Sequence, residues 1–154
     1  MKKKLNIQYI CKKYQNLPKK KQINNWVKTI FNFFKKSIEL TIRIVEIKEI
    51  KDLNIKYKKK NKPTNILSFY LGPINDNFLI KNHIGDLVLC HKIIEKEAFI
   101  QKKKINAHYA HMIIHGCLHI FGYHHLTQYE YKKMKNLEIK IMKKINYHNP
   151  YQLK

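Results

Sequence analysis

Six of the nine histidines in this 154-residue chain fall between His108 and His125. Histidine is the side chain that most often binds a transition metal or moves a proton near neutral pH. His115 and His119 stand at i and i+4, so on a helix they lie one above the other, about 6 Å apart along the axis, and can grip one ion. Gly122 can end that helix at positive φ and turn the chain so that His125 swings back to the same point. Three neutral imidazoles leave one coordination position open, the pattern of a catalytic rather than a structural zinc site. His115, His119 and His125 are therefore the expected ligands of one zinc ion, or of another divalent transition metal, and the expected chemistry is hydrolysis.

Other residues near these three sort by geometry. His108 and His111 share the helix face with His115 and His119, but the first and last of the four are about 16 Å apart along the axis, so one ion cannot reach them all. His111 is assigned to the substrate or to the support behind the ligands, and His108 to packing. Cys117 lies about 200° around the helix from His115 and is not counted as a ligand. The spacing His-x-x-x-His-x-x-Gly-x-x-His also occurs in metzincin proteases, which carry a glutamate directly after the first histidine. Gly116 occupies that position here, so a protease of that type would lack its general base.

The elements that must position these residues follow from periodicity. Leu5–Cys11 alternates as a first strand, and Asn16-Leu-Pro18 makes a turn before a helix whose apolar face is Ile23, Trp26, Val27, Ile30, Phe31 and Phe34. Leu40, Ile42 and Ile44 mark a second strand, followed by a short helix through Ile47, Ile50 and Leu53. Tyr57–Lys62 reads as a basic loop, Ile66–Tyr70 as a third strand, Gly72-Pro73 with Asn75–Asn77 as a turn, and Asp86–Cys90 as a fourth strand. Asp86, at the start of that strand, is assigned a turn or capping role ahead of one as proton acceptor. A helix through Ile93, Ile94, Glu97 and Ala98 ends at Lys102–Lys104, and the metal helix runs from Ala107 to Phe121. Thr127-x-x-Glu130 has the form of a capping box for a last helix carrying Met134, Leu137, Ile141 and Ile145. Helices interleaved with strands, without repeats or a composition break, indicate one domain over residues 1–154, a sandwich with a mixed sheet.

Composition narrows the partners. No apolar run reaches the roughly 18 residues of a membrane span, and the segment after Met1–Lys4 alternates instead of forming the apolar core of a signal peptide. Cys11, Cys90 and Cys117 are odd in number and widely spaced, which fits reduced thiols in the cytoplasm. The formal charge of +22 invites a phosphate-bearing partner. Only Arg43 among the 32 basic residues is arginine, however, and the abundance of Lys, Asn, Ile, Tyr and Phe is what AT-rich codons encode. Part of the charge is therefore attributable to codon bias.

The run His115-Gly-Cys-Leu-His-Ile-Phe-Gly-Tyr-His-His125 resembles the signature HGxLHLxGYDH of the YbeY family. Lys62-Pro-Thr-Asn-Ile-Leu-Ser-Phe69 is similar to that family's KPTNVLSF strand, and Ile84-Gly-Asp-Leu-Val88 to its LGDIVI strand. Ala107–Met112, Met134–Glu138 and Tyr147–Tyr151 also fit, so the resemblance covers the chain from Leu40 onward. It implies an α+β fold, a mixed four-stranded sheet with about five helices, and a metal site at the end of a cleft. It also implies a single-strand-specific endoribonuclease holding one zinc-type ion, acting in maturation of the 3′ end of small-subunit ribosomal RNA and in ribosome quality control. Single-stranded RNA, ribosomal RNA and the small ribosomal subunit are the implied partners; membrane and DNA are not expected. The family's arginine after the tyrosine of the basic loop, taken to assist catalysis, is Lys58 here, and its aspartate before the third ligand is His124. Lys58 is accordingly the catalytic candidate, with Lys59, Lys60, Lys62 and His111 as candidate substrate contacts. The rival expectations are a ribosome-associated RNA-binding factor with a mainly structural metal and, behind it, a zinc protease.

Overall fold

The computed structural model describes residues 3–11, 13–72 and 82–152. Four strands, β1 (Lys3–Tyr9), β2 (Ser37–Val45), β3 (Ile66–Gly72) and β4 (Asn82–Cys90), form one sheet in the order β1-β2-β4-β3. β1, β2 and β4 are parallel, and β3 closes the edge antiparallel to β4. Five helices accompany them among the described residues: α1 (Lys20–Phe34), α2 (Ile47–Lys58), α3 (His91–Ile100), α4 (Ile105–Ile120) and α5 (Gln128–Lys144). The expected α+β fold with a mixed four-stranded sheet is what the chain adopts.

Alternation along the strands divides the core. Leu40, Ile42 and Ile44 of β2 and Leu87 and Leu89 of β4 face the larger core, where the apolar faces of α1, α4 and α5 cover the sheet. Val45, Leu67, Val88 and Cys90 face a smaller cluster closed by Ile50 of α2. α4 is central, packing on β3, β4, α1, α3 and α5, and nearly every residue from His108 to Ile120 is buried. This explains why its sequence is apolar almost all round: such a helix is enclosed rather than amphipathic.

Most boundaries differ from the periodicity only by fraying, but two differences matter. α2 continues to Lys58, so Tyr57 and Lys58 belong to its last turn, and the expected loop begins at Lys59, which takes the left-handed conformation at φ 58°. Weak helix signals among consecutive lysines hide this end, since lysine is a good helix former. β4 begins at Asn82, which places Asp86 in mid-strand, paired with Thr41 and Phe69, and not in a turn or cap. The predicted turn at Pro73 and Asn75–Asn77 lies outside the described residues. No helix among the described residues is long and apolar enough to cross a membrane.

Candidate metal centre

Two glycines set the position of the histidines. Gly116 brings α4 down onto the sheet: a Cβ there would stand 2.6 Å from Leu87 Cδ2, 2.8 Å from Ile66 Cδ1 and 3.0 Å from Ser68 Oγ. No side chain fits without separating helix and sheet, so the position where a metzincin carries glutamate is here a packing contact. Gly122, at φ +95°, ends the helix. Its N–H donates to the His119 carbonyl (3.0 Å) and the Tyr123 N–H to the Leu118 carbonyl (2.9 Å), the paired bonds of a Schellman turn. This turn carries the chain back, and His125 returns to stack on His115 with ring centroids 5.6 Å apart.

One nitrogen from each of His115, His119 and His125 falls within 4.8 Å of the others. The other ring nitrogens of the first two have fixed roles. His119 Nδ1 lies 3.0 Å from the Tyr123 carbonyl, which can only accept, so Nδ1 carries the proton. His115 Nδ1 donates to Glu138 Oε1 at 2.7 Å. In the neutral rings both Nε2 atoms are then bare lone pairs, and they face each other at 3.0 Å. Two acceptors held that close repel unless a cation lies between them, so the residues fit a metal ion. Burial, followed by the fields of His115 and His125, pushes His119 down to about 4, which keeps it in the neutral form that a metal requires.

Glu138 is the residue sequence reasoning missed. It is 1% exposed and accepts hydrogen bonds from His115, from His111 Nε2 at 3.1 Å and from the Tyr151 hydroxyl. Burial by itself would raise its carboxyl, but the bonds from His111, His115 and Tyr151 and the field of His111 outweigh it, and the group is held at about 2. A carboxylate behind a ligating imidazole fixes its tautomer and raises its basicity. The available signal was a lone acid on the apolar face of α5, four residues after Met134 and three before Ile141, where burial without a partner would be costly.

The structure unites some of the expected site residues and separates others. Lys58, Lys60 and Lys62 line a cleft of about 630 Å³ together with His115, His119, His124 and His125. The loop carrying them is pinned by buried Asn54, whose carbonyl accepts from the Lys60 N–H (3.2 Å) and whose Nδ2 donates to the Lys62 carbonyl (2.8 Å). Lys59 is exposed at the helix cap and does not line the cleft. His111, 6% exposed, sits one turn behind the ligands on Glu138 and also stays out of the cleft. It supports the ligand set and does not reach substrate. His108 packs, as expected, bonded to Glu97 at 2.9 Å. Asp86 does not line the cleft, and burial pushes its carboxyl up. Cys117 is wholly buried, its thiol pushed by burial up to about 12. Tyr123 packs on Phe34, and Arg43 is engaged internally by Glu49 and Gln8.

The sequence profile of the family "Endoribonuclease YbeY" matches residues 6–146. The chain belongs to that family. It is 48% identical over 149 residues to the endoribonuclease YbeY of Wigglesworthia glossinidia brevipalpis, covering 96% of each chain. Against the endoribonuclease YbeY of Buchnera aphidicola from Acyrthosiphon pisum, the identity is 49%, with 97% and 96% of the two chains covered. The solution structure of TM1509 from Thermotoga maritima has the same fold at 22% identity, with a TM-score of 0.58 over 92% of this chain and 91% of that one. The YbeY signature histidines are therefore those that converge here, and its basic segment is the wall that faces them.

Proposed function

We propose that the chain is a metal-dependent endoribonuclease specific for single-stranded RNA, holding one zinc ion on His115, His119 and His125 and acting in the cytoplasm. Its substrate is the ribosomal RNA of the small subunit, matured at the 3′ end, with a further part in ribosome quality control. The observation that carries this reading is that the three-histidine site and Lys58, Lys60 and Lys62 line one cleft, in a chain of the YbeY endoribonuclease family.

A divalent ion held there supplies Lewis acidity toward a phosphodiester oxygen or an attacking water. Around that centre the chain has three tasks. Glu138 and the Tyr123 carbonyl keep the protons of His115 and His119 on Nδ1, so that Nε2 of each is directed into the cleft. Lys58 and Lys60 neutralise charge on the phosphate as it gathers in the transition state, and Lys62 holds the adjoining backbone. Lysine does this as a point charge, without the bidentate geometry of arginine. In the structure the Lys58 ammonium rests 5.7 Å from the centre of the Phe69 ring, so the phosphate has to draw it off that ring.

The test incubates zinc-loaded protein with single-stranded and duplex RNA, with and without chelator, and identifies the product ends. Cleavage confined to unpaired RNA and abolished by chelator is the expected result. Cleavage that survives His115→Ala and His119→Ala would leave the ion a structural role only.

A further inference from the structure

The cleft wall opposite the histidines carries an aromatic ring that metal binding and phosphate neutralisation do not use. Along β3 the side chains alternate. Ile66 and Ser68 face α4, as their approach to Gly116 shows, whereas Leu67 and Phe69 face α2, where Phe69 packs against Tyr57 with ring centroids 5.3 Å apart. Tyr70 is next on the α4 side and lines the cleft with the histidines and lysines. Its cross-strand neighbour is Gly85, which contributes no side chain, and Gly85 lies under Ile120, the last residue of α4. Tyr70 therefore stands where the helix stops covering the strand, and it is 51% exposed.

From this placement we propose that Tyr70 is a base-stacking subsite. An unpaired nucleobase lies on its ring while the adjoining phosphates run along Lys58, Lys60 and Lys62 toward the histidines. A half-exposed aromatic beside a row of cations is the arrangement that binds single strands, because every base offers a π-face and the cations track the backbone. Bases of a duplex are turned inward and stacked on one another, so they cannot occupy the subsite without unpairing. Tyr70 thus contributes to selection of unpaired RNA at a position separate from the metal ligands.

This inference rests on the RNA-cleaving function proposed above, and its test separates the two. Zinc-loaded wild type, Tyr70→Phe and Tyr70→Ala are given a single-stranded oligoribonucleotide and a set of variants lacking one base at successive positions. KM and kcat are measured, with Kd by fluorescence anisotropy on the same strands in chelator. Tyr70→Ala should raise KM and Kd by about 5- to 150-fold, the loss of one base–aromatic stack, with kcat, zinc content and melting temperature little changed. Tyr70→Phe should match wild type. At one position, base removal should weaken wild type but not Tyr70→Ala. An unchanged Kd in Tyr70→Ala, a Tyr70→Phe as weak as Tyr70→Ala, or equal base-removal penalties in both backgrounds would overturn the subsite. Absence of cleavage by wild type would instead overturn the nuclease function, and the Kd series would still decide the role of Tyr70.

Discussion

Replacing Glu138 with glutamine should weaken metal binding without unfolding the protein. The carboxylate has two oxygens and three donors directed at it: His115 Nδ1 at 2.7 Å, His111 Nε2 at 3.1 Å and the Tyr151 hydroxyl. An amide offers one oxygen, so its NH₂ must meet at least one of these donors head-on, and it carries no charge to raise the basicity of His115. Loss of such a partner behind a metal-ligating histidine typically costs 10- to 100-fold in affinity, which is about 1.4–2.7 kcal/mol of binding free energy. Stability should change less, because neutralising the side chain also removes the penalty of burying its charge. Glu138→Ala is the contrasting case: it leaves buried His111 and Tyr151 donors unmet and opens a cavity, for a loss of about 3–5 kcal/mol. Zinc affinity by competition with a chromophoric chelator, and melting temperature of the metal-free forms, separate the two effects. Wild-type zinc affinity in Glu138→Gln would refute the assignment of Glu138 as the group that orients His115.

Gly116→Ala should lower the melting temperature by several degrees, since its Cβ meets Leu87 and Ile66 at 2.6 and 2.8 Å and overpacking of this kind costs about 1–3 kcal/mol; an unchanged melting curve would show that α4 and the sheet separate easily. Burial lowers His91 and, against the opposing pull of Glu97, His108. Groups of this kind bind protons more readily unfolded than folded, so stability is present above the ordinary histidine range and is lost as pH falls through the lowered values. Chemical denaturation of the metal-free protein should thus show declining stability from about pH 6.5 downward, and a flat profile there would count against the buried, neutral state of both rings. Lys58→Ala should reduce kcat for RNA cleavage by about 10-fold or more while Lys58→Arg retains or improves it; equal rates for all three would remove Lys58 from catalysis.

How much of this was legible in the sequence depends on how local each relationship is. The pair His115 and His119 is set by helical pitch, and Gly122 announces the turn that returns His125, so the ligand triad could be read within eleven residues. The strands likewise show themselves through β-branched alternation. Glu138 could not be found that way, because its partner His115 is 23 residues away and only the packing of α5 on α4 unites them. His111 was misplaced for a related reason: its face of α4 is the ligands' face, but one turn earlier that face looks at α5 instead of the cleft. Lysine propensity concealed the true end of α2, and Lys59 consequently lies at a helix cap away from the substrate wall. Gly116 had been legible only as the absence of a glutamate, whereas its role in bringing helix and sheet together needs the coordinates of Leu87 and Ile66.

The central claim, that His115, His119 and His125 hold one ion whose presence is required for RNA cleavage, is tested most directly by titrating zinc into metal-free protein. Bound metal and the initial rate on a single-stranded RNA are followed together. Rate and occupancy should rise in parallel and saturate at one ion per chain, with neither appearing in His119→Ala. Full cleavage at zero occupancy, or saturation of binding with no gain in rate, would contradict it.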